Sequence, residues 1–536
     1  MKMRNKTVTA LMMAGMVLMS AAYPTQVLAE ETAVETLTIG MSKDQSTITP
    51  FTYINGTPGF DVMRFIYDSL FTIDENNEAV PWMVEDEYEV SDDYKTYTVT
   101  LLDGLKWHDG EPLTAEDVKF TFEYVLTQDV GRWITIASGV ESIDIDGNKI
   151  TFHLTDPNPD FIRSGLADMR IIAKHVYEGV EDATTVPSMG SGAYKMTDYV
   201  ADQYYTLEAF EDYFKGEPTV KTLQLPIISD NSVMQQSLIS GEIAAYTGSI
   251  SPELIETYEA AENIDLISTE GYVSTLLLFN CEREPFDEAD FRVALTQAID
   301  LDEIIEQVCL GKADKGSAGY VKEGLAEYTE GLDYVYDPEK ASEMLDTLGY
   351  TEKDENGMRL GKDGEVMDLE LLVQSGNTTR TRTRTAELIA QQLGKIGVKV
   401  SVTSMESGSV DDKVWPEFDV SKGRDYDMAM WGWSAPVIQK AGAIVAACYS
   451  DFVAGGDNLS GYKNEEFDAL AAEYLASEDV DERVELSHEM QKLAASEAPF
   501  MTLFFTDTIS AVNKEQYGGW KEVKGTYAFN VFSFLP

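Results

Sequence analysis

The sequence of 536 residues is poor in the residues from which reactive centres are built. It contains three cysteines and four histidines. It has no Cys-x-x-Cys pair, no His-Glu-x-x-His and no Gly-x-Ser-x-Gly, and its histidines stand far apart, without partners at the spacing of metal ligands. Three cysteines permit at most one internal disulfide, and the apolar surroundings of Cys281 and Cys309 favour small buried hydrophobes. We therefore expect neither a metal nor a cofactor.

Positive charge is also scarce. The chain has 40 Lys and Arg against 94 Asp and Glu, a formal charge of −54. Three of the positive charges, Lys2, Arg4 and Lys6, lie at the N-terminus, so 40 less 3 leaves 37 in the rest of the chain and a formal charge of −57 there. This balance argues against partners that are nucleic acids or anionic membrane surfaces. It does not indicate a cationic ligand, because distributed acidic charge usually serves solubility.

Apolar runs long enough to span a bilayer are missing as well. Residues 7–22 form an apolar segment behind the basic N-terminus, too short and interrupted for a transmembrane helix, and Ala29 fits a cleavage position. This pattern predicts a secretory signal over residues 1–29, with an uncleaved anchor as the alternative. No cysteine stands directly after this segment, so we expect no direct lipid anchor. The predicted location is outside the cytoplasm, in the periplasm or at the outer face of the cytoplasmic membrane.

Residues 96–126 give the clearest prediction of local structure in the chain. A β-branched run with alternating side chains predicts a strand, and Asp109-Gly110 supplies turn chemistry. Thr114 then predicts the start of a helix, with Asp117 three residues later in a variant of the capping box. Strand, turn and helix are thus predicted from local sequence alone, without reference to any function.

The same block carries a family resemblance. Trp107-His108-Asp109-Gly110-Glu111-Pro112, followed by Thr114-Ala115-Glu116-Asp117-Val118, closely resembles the signature of the family 5 extracellular solute-binding proteins. These are the oligopeptide- and dipeptide-binding components of ABC importers. The resemblance runs from about residue 36 to the C-terminus and implies an α/β, two-lobed periplasmic-binding-protein fold, type II-like, with hinge-linked lobes. In that family the signature is structural, so it indicates the fold without supplying a binding site.

The resemblance also implies a division of the chain. Two apolar runs, residues 273–280 and 499–505, match the family strands that carry the chain between lobes. A strand at 368–374, a helix at 385–396 and a strand at 398–403 predict a βαβ unit and a parallel strand pair. The predicted division is residues 1–29 for the signal, 30–72, 186–277 and 500–536 for the first lobe, 73–185 for a subdomain inserted in the first lobe, and 278–499 for the second lobe.

The resemblance places a ligand cleft at the segment around Trp433. Gly432, Trp433 and Ser434 match the turn on which relatives lay an extended peptide by backbone pairing, which accepts many sequences. Of the alternating Trp431 and Trp433, we expect Trp433 to face the cleft. In peptide-binding relatives an Asp three residues later holds the peptide's ammonium group, but this chain has Pro436 there. Either another acid replaces it or the ligand has no free amine at that point.

Further cleft candidates come from other matches to the family. Three arginines alternate with threonines at residues 380–384, before a predicted helix, and one of them could bind a carboxylate at the helix N-terminus; we select Arg384. A solvated basic patch is the alternative. The remaining candidates are the loop residues Asn55, Gly56 and Thr57, Arg132 with Trp133, and Tyr246 with Thr247.

The sequence thus predicts a monomeric, non-enzymatic substrate-binding component of an ABC importer. Its partners would be a small peptide or a related polar solute and a membrane permease. An oligosaccharide or another non-peptide ligand is the main alternative, since Pro436 departs from the peptide-binding pattern. A secreted glycoside hydrolase needs only two carboxylates, which sequence does not exclude, and a receptor that signals to a membrane sensor would share the fold.

Overall fold

The computed structural model describes residues 34–52, 59–128, 133–375, 380–451, 457–477 and 479–536. The predicted signal, the candidates Asn55, Gly56 and Thr57, and Arg132 lie outside these ranges. Within them, no helix has both the length and the apolar character needed to cross a membrane. Residues Val34–Pro536 form one compact unit.

The described residues contain both helices and strands throughout. The strands are β1 (Val34–Gly40), β2 (Phe71–Ile73), β3 (Ala79–Pro81), β4 (Glu89–Val90), β5 (Thr96–Thr100), β6 (Val140–Asp146), β7 (Lys149–Leu154), β8 (Tyr194–Val200), β9 (Tyr204–Ala209), β10 (Val220–Pro226), β11 (Ala245–Tyr246), β12 (Ile264–Phe279), β13 (Ala313–Lys315), β14 (Asp368–Gln374), β15 (Lys399–Met405), β16 (Met428–Trp431) and β17 (Phe500–Asn513). The helices are α1 (Gly59–Ile66), α2 (Ala115–Val125), α3 (Ile134–Ser138), α4 (Lys174–Tyr177), α5 (Asn231–Ser240), α6 (Ile255–Glu259), α7 (Ala289–Gln297), α8 (Leu301–Val308), α9 (Pro338–Thr347), α10 (Arg380–Lys395), α11 (Ser407–Val414), α12 (Ala435–Ile438), α13 (Ala443–Cys448), α14 (Glu465–Ala476) and α15 (Val480–Glu497).

The first lobe is built on a five-stranded sheet of order β11-β1-β10-β9-β8. Strand β1 runs parallel to both β10 and β11, whereas β9 is antiparallel to β10 and β8. A smaller sheet of order β4-β5-β7-β6 contains the hairpin of β6 and β7, whose connection at residues 146–148, Asp-Gly-Asn, has the composition typical of a hairpin turn. Buried side chains of both sheets, such as Leu223 and Phe152, belong to one continuous apolar core, the first-lobe core.

The signature residues Trp107 and His108 fix the position of a first-lobe loop, residues 190–192. Trp107 is fully buried in the first-lobe core. The next residue, His108, forms hydrogen bonds with Gly190 and Gly192 of the loop. The His108 ring accepts a hydrogen bond at Nδ1 from the Gly190 N–H (3.3 Å) and lies 2.9 Å through Nε2 from the Gly192 carbonyl oxygen, to which Nε2–H donates. The His108 N–H donates to the Gly190 carbonyl oxygen at 2.9 Å. The signature is therefore structural, and its histidine works as a neutral ring.

This arrangement predicts a pH-dependent loss of stability. Burial lowers the pKa of His108 from 6.5 to about 4. Because protonation would also replace the Nδ1 acceptor by a donor facing the Gly190 N–H, stability is fully present above pH 6.5 and falls as pH drops from 6.5 toward 4. The difference amounts to about 3 kcal/mol of unfolding free energy. We expect His108→Gln to remove this slope from denaturant unfolding measured across that range.

The matched control for this prediction is His153→Gln. The His153 ring lies on β7 with about a third of its side chain exposed, beside Asp144 at the surface. Wild-type protein and the His153 variant should show parallel pH profiles. If His108→Gln also runs parallel to them, the neutral His108 clamp does not contribute to acid sensitivity.

The second lobe is built on a six-stranded sheet of order β13-β17-β12-β16-β14-β15. The predicted βαβ unit is confirmed, since β14 pairs in parallel with β15 through α10, and β14 also pairs in parallel with β16. Both faces of this sheet are covered: Leu371 and its neighbour Leu372 are fully buried in two different apolar cores, one on each side. We call these two clusters the second-lobe cores. Burial on both faces explains the nearly continuous apolar run in β14.

Two long strands connect the lobes. β12 and β17 pair antiparallel, Ile264–Thr269 with residues 508–513 and Val273–Leu278 with residues 500–506, and the register shifts between Thr269 and Val273. The apolar runs at 273–280 and 499–505 correctly located these strands but captured only their second-lobe halves. The shift lies at Glu270-Gly271, where polar and glycine residues interrupt the apolar pattern. We call this interruption, residues 270–272, the hinge segment.

The three thiols are free in the described residues. Cys309 and Cys448 are buried in the two second-lobe cores, and Cys281 packs against one of them. Burial raises the pKa of Cys281 to about 11 and that of Cys309 to about 12. These cysteines are therefore apolar core residues with thiols that stay protonated at neutral pH.

Candidate binding site

The site is built from the strand ends of both lobes. In the first lobe, β1 ends at Gly40 and β11 ends at Tyr246. In the second lobe, the parallel strands β14, β15 and β16 end at Gln374, Met405 and Trp431. Open α/β sheets bind ligands beyond the carboxyl ends of their parallel strands. The candidate site is therefore the cleft between these two edges.

Two polar contacts join the first lobe to the second. Arg380 at the start of α10 places Nη1 4.0 Å from Oε1 of Glu253, which precedes α6. In the loop after Trp433, the side-chain amide of Gln439 donates to Oδ1 of Asn77 at 3.0 Å. Helix α10 and this loop therefore both reach the first lobe.

The segment after β16 is fixed tightly to the crossing strand β12. The Trp433 N–H donates to the Ser274 hydroxyl at 3.0 Å, and the Ser274 N–H donates to the Trp433 carbonyl oxygen at 3.0 Å. A Cβ on Gly432 would lie 2.2 Å from the Ser274 carbonyl oxygen and 2.5 Å from Nη2 of Arg382. Only glycine fits at position 432 without moving this backbone or the arginine.

Three tryptophan rings meet at this segment. The Trp433 ring makes edge contacts with Trp415 and Trp431, at centroid distances of 5.6 and 6.1 Å. Trp431 is buried, and within the described residues its indole N–H has no hydrogen-bond partner. Trp433 is half-buried. The cluster thus offers an aromatic surface and a hydrogen-bond donor that the described part of the protein does not use.

Arg382 supplies positive charge to the same place. Its Nη1 donates to Oε1 of Gln374 at 3.0 Å, and the Gln374 amide donates to Oδ1 of Asp411 at 3.0 Å. Burial lowers the pKa of Arg382, and Asp411 partly offsets this effect. Among the described residues no carboxylate lies within ion-pair distance of Arg382. Its charge is therefore linked to the nearest acid only through an amide, an arrangement suited to receiving an anionic group.

The first-lobe wall contains Tyr246 and Thr247. The Thr247 N–H donates to the Gly40 carbonyl oxygen at 2.9 Å, which holds the residue at the end of β1. The Thr247 side chain is buried, and its hydroxyl finds no hydrogen-bond partner within the described ranges. Tyr246 is half-buried, and burial beside Tyr258 raises its pKa. The buried, unused hydroxyl of Thr247 is a polar group available to a ligand.

Two predicted cleft residues lie elsewhere. Trp133 is fully buried in the first-lobe core and donates from its indole to Oδ2 of Asp168 at 3.0 Å, so it is a core residue and not a cleft wall. Arg384 is exposed and donates to the Gln307 carbonyl oxygen at 3.1 Å. The structure brings Arg382 to Gly432 in its place, because residues two apart point to different sides of a helix. Ser434 is exposed and precedes α12.

Sequence reasoning missed Gln374, Asp411, Trp415 and Ser274, and among the three candidate arginines it selected Arg384 where the structure brings Arg382 to Gly432. Gln374 could have been found, since a polar residue ending an apolar parallel strand marks the ligand edge of such sheets. Trp415 and Asp411 belong to α11 and its end, which no predicted element covered. In the described residues no group of three or more His, Cys, Asp and Glu side chains could hold a metal ion.

Comparison with known proteins shows that most of the chain is similar to binding proteins. Residues 78–451 match the family model described as bacterial extracellular solute-binding proteins, family 5 Middle, which covers well over half of the chain. The oligopeptide-binding protein AppA of Bacillus subtilis (strain 168) is 26% identical over 478 residues, covering 86% of this chain and 84% of that protein. The dipeptide-binding protein of Escherichia coli (strain K12) is 25% identical over 484 residues, covering 84% of this chain and 85% of that protein.

Solved structures agree with the sequence comparison. The ABC transporter substrate-binding protein CtaP of Listeria monocytogenes superposes with a TM-score of 0.81 at 25% identity, covering 94% of this chain and 98% of that one. The likeness therefore extends over both lobes and the crossing strands. With this fold and this family match, the chain belongs to the bacterial extracellular solute-binding proteins of family 5.

Proposed function

We propose that this protein is the substrate-binding component of an ABC importer and captures peptides in the cleft between its lobes. The observation that carries the proposal is the Trp431-Gly432-Trp433 segment, fixed at the ligand edge of the second-lobe sheet with the Arg382 guanidinium beside it. Backbone groups along such an edge accept an extended peptide, and an arginine accepts a carboxylate. The Bacillus subtilis and Escherichia coli relatives are peptide-binding proteins by name.

The geometry suggests which parts of a peptide each wall would contact. Arg382 would hold a carboxylate, either the peptide's C-terminus or an acidic side chain. Trp433 would pack against an apolar side chain, and the unused groups of Trp431 and Thr247 would pair with peptide backbone groups. Because hydrogen bonds to the peptide backbone read any sequence, this site would accept a range of peptides.

The proposal includes a departure at the peptide N-terminus. Position 436 is a proline in the first turn of α12, where it offers no carboxylate to an ammonium group. A buried ammonium without a carboxylate is costly, by several kcal/mol on the order-of-magnitude scale for uncompensated buried charges. We therefore propose that the protein tolerates peptides with a blocked N-terminus better than a site with an acid at this position would.

The location and the partner of the protein are proposed from the sequence. We propose that residues 1–29 direct export, that the chain acts outside the cytoplasmic membrane as a monomer, and that a membrane permease receives its closed form. Ligand would be bound and released without chemical change. The domain boundaries predicted from the sequence, with residues 73–185 as an inserted subdomain, form part of this proposal.

A thermal-shift screen tests the proposal. Protein from residue 30 onward would be melted with dipeptides and longer peptides, each with a free and an acetylated N-terminus, and with oligosaccharides. A ligand that binds only the folded state raises the melting temperature, so we expect stabilisation by peptides, with acetylated peptides binding at least as well as free ones. Stabilisation by oligosaccharides alone would reject the peptide assignment.

A variant of Trp433 tests whether the peptide binds at this segment. Replacing Trp433 by alanine removes the half-buried ring that faces Trp415 and Trp431. Losing the burial of an aromatic side chain costs about 2 kcal/mol, so affinity for the best peptide of the screen should fall about 30-fold by calorimetry. Unchanged affinity in a folded Trp433→Ala variant would place the peptide elsewhere.

A further inference from the structure

The Asn77 side chain of the first lobe is held in a position to accept a hydrogen bond from the second lobe. Asn77 lies in the turn between β2 and β3, beside Ile73 of the first-lobe core. Arg163 donates from Nη1 to the Asn77 carbonyl oxygen at 2.7 Å and from Nη2 to Oδ1 of Asn77 at 2.8 Å. Asn77 has a φ of 69°, a left-handed conformation that asparagine tolerates better than most residues. The Asn77 amide oxygen is therefore held in a fixed position.

The group that meets Asn77 comes from the second lobe. Gln439 directly follows helix α12, and its neighbour Ile438 is buried in a second-lobe core. The Gln439 side-chain amide donates to the same Oδ1 of Asn77 at 3.0 Å. Tyr272 of the hinge segment also interacts with the Asn77 side chain. Asn77 thus connects the first lobe, the hinge and the second lobe at one point.

The loop that carries Gln439 belongs to the second lobe, because both of its ends are hydrogen-bonded there. At one end Trp433 is hydrogen-bonded to Ser274. At the other end the Gly442 N–H donates to both carboxylate oxygens of Glu327, at 3.0 and 3.2 Å. Glu327 is itself buried and accepts from the Tyr474 hydroxyl at 2.6 Å. One rigid segment therefore carries both the proposed ligand contact and the contact to Asn77.

We infer that Asn77, Arg163 and Gln439 form an interlobe latch that holds the lobes closed over a bound peptide and slows its release. The inference rests on the proposed function in that the latched cleft is taken to be the peptide site. Because the latch is a contact between the two lobes themselves, it would add the same stabilisation for every peptide. A promiscuous binding protein would in this way retain its ligand independently of peptide sequence.

Three variants distinguish the loss of the interlobe hydrogen bond from a local disturbance of the turn at Asn77. Asn77→Gly removes the amide and tolerates the positive φ, Gln439→Ala removes the donor, and Asn77→Asp keeps an oxygen that can accept from both Arg163 and Gln439. The probe is the acetylated peptide that gives the largest melting shift in the screen. We expect Asn77→Gly and Gln439→Ala each to raise its dissociation rate about fivefold, the equivalent of one hydrogen bond, with the association rate unchanged. Asn77→Asp should dissociate like the wild type.

Three further measurements decide the outcome. Gln307→Ala removes an amide that, among the described residues, donates to Glu303 within α8, and it should leave the dissociation rate unchanged. The double variant Asn77→Gly with Gln439→Ala should dissociate no faster than either single variant. Small-angle X-ray scattering without peptide needs no ligand, so it tests the latch even if the peptide assignment fails; a larger radius of gyration is expected for Asn77→Gly than for wild type. Equal radii together with equal dissociation rates would overturn the latch.

Discussion

Replacing Gly190 by alanine is expected to destabilise the protein by about 4 kcal/mol. A Cβ at this position would lie 2.0 Å from the Ile66 carbonyl oxygen, which is backbone and cannot rotate away. The same carbonyl accepts from the Gly192 N–H at 2.9 Å, and Gly190 itself exchanges two hydrogen bonds with His108. Moving the loop to admit a methyl group would therefore disturb the whole clamp. Denaturant unfolding should show a lower midpoint with little change in slope.

The control is a glycine with free space around it. Gly394 lies in the last turn of helix α10, and a Cβ there would meet no atom within 4 Å outside the backbone of its own helix. Alanine in a helix is favoured over glycine by up to about 1 kcal/mol, so Gly394→Ala should stabilise the protein by no more than that amount. Opposite signs are thus expected from the same chemical change. A Gly190→Ala variant as stable as the wild type would show that this loop yields easily, and the close packing would then not explain the glycine.

The elements predicted well from sequence are those decided by local interactions. Thr114 was predicted to start a helix with Asp117 three residues later; α2 begins at the next residue, and the Thr114 N–H donates to Oδ2 of Asp117 at 2.8 Å. The turn between β6 and β7 and the stop at Gly241, with a φ of 80°, follow the same logic. In each case the energetic reason lies within a few residues, so a sequence window contains it.

The predictions that fell short depended on distant residues. The crossing strands β12 and β17 are longer than their apolar runs, because they also pair on the other side of the register shift, where Ile264–Thr269 meets residues 508–513. In this second stretch each strand is held by its hydrogen bonds to the other and not by a continuous apolar run. Trp133 matched a cleft position by family resemblance, but burial in the first-lobe core decides its role. The choice among the three alternating arginines depended on the start of α10. This helix begins at Arg380 and not near Thr385 as predicted, and its start decides which arginine reaches Gly432.

Arg382 is expected to be the residue whose charge matters most for binding. Removing one partner of a largely desolvated charge pair costs about 2 to 5 kcal/mol, so Arg382→Gln should weaken binding of a peptide with a free C-terminus at least about 30-fold. Glutamine can still hydrogen-bond to Gln374, which limits structural damage near Gly432. Arg384→Gln is the matched control, since Arg384 is exposed and bonds to the Gln307 carbonyl oxygen; its affinity should stay within about twofold of wild type.

The chemical identity of the group that Arg382 receives can be read from a thermodynamic cycle. The peptide of the screen would be compared with its C-terminally amidated form in wild type and in Arg382→Gln by calorimetry. If Arg382 holds the terminal carboxylate, amidation weakens binding to the wild type but not to the variant, because the interaction is already missing there. If the variant weakens both peptides equally, the arginine receives an acidic side chain or acts by fixing the turn at Gly432. Raising the salt concentration then separates these two outcomes, since only a charge contact loses strength as salt increases.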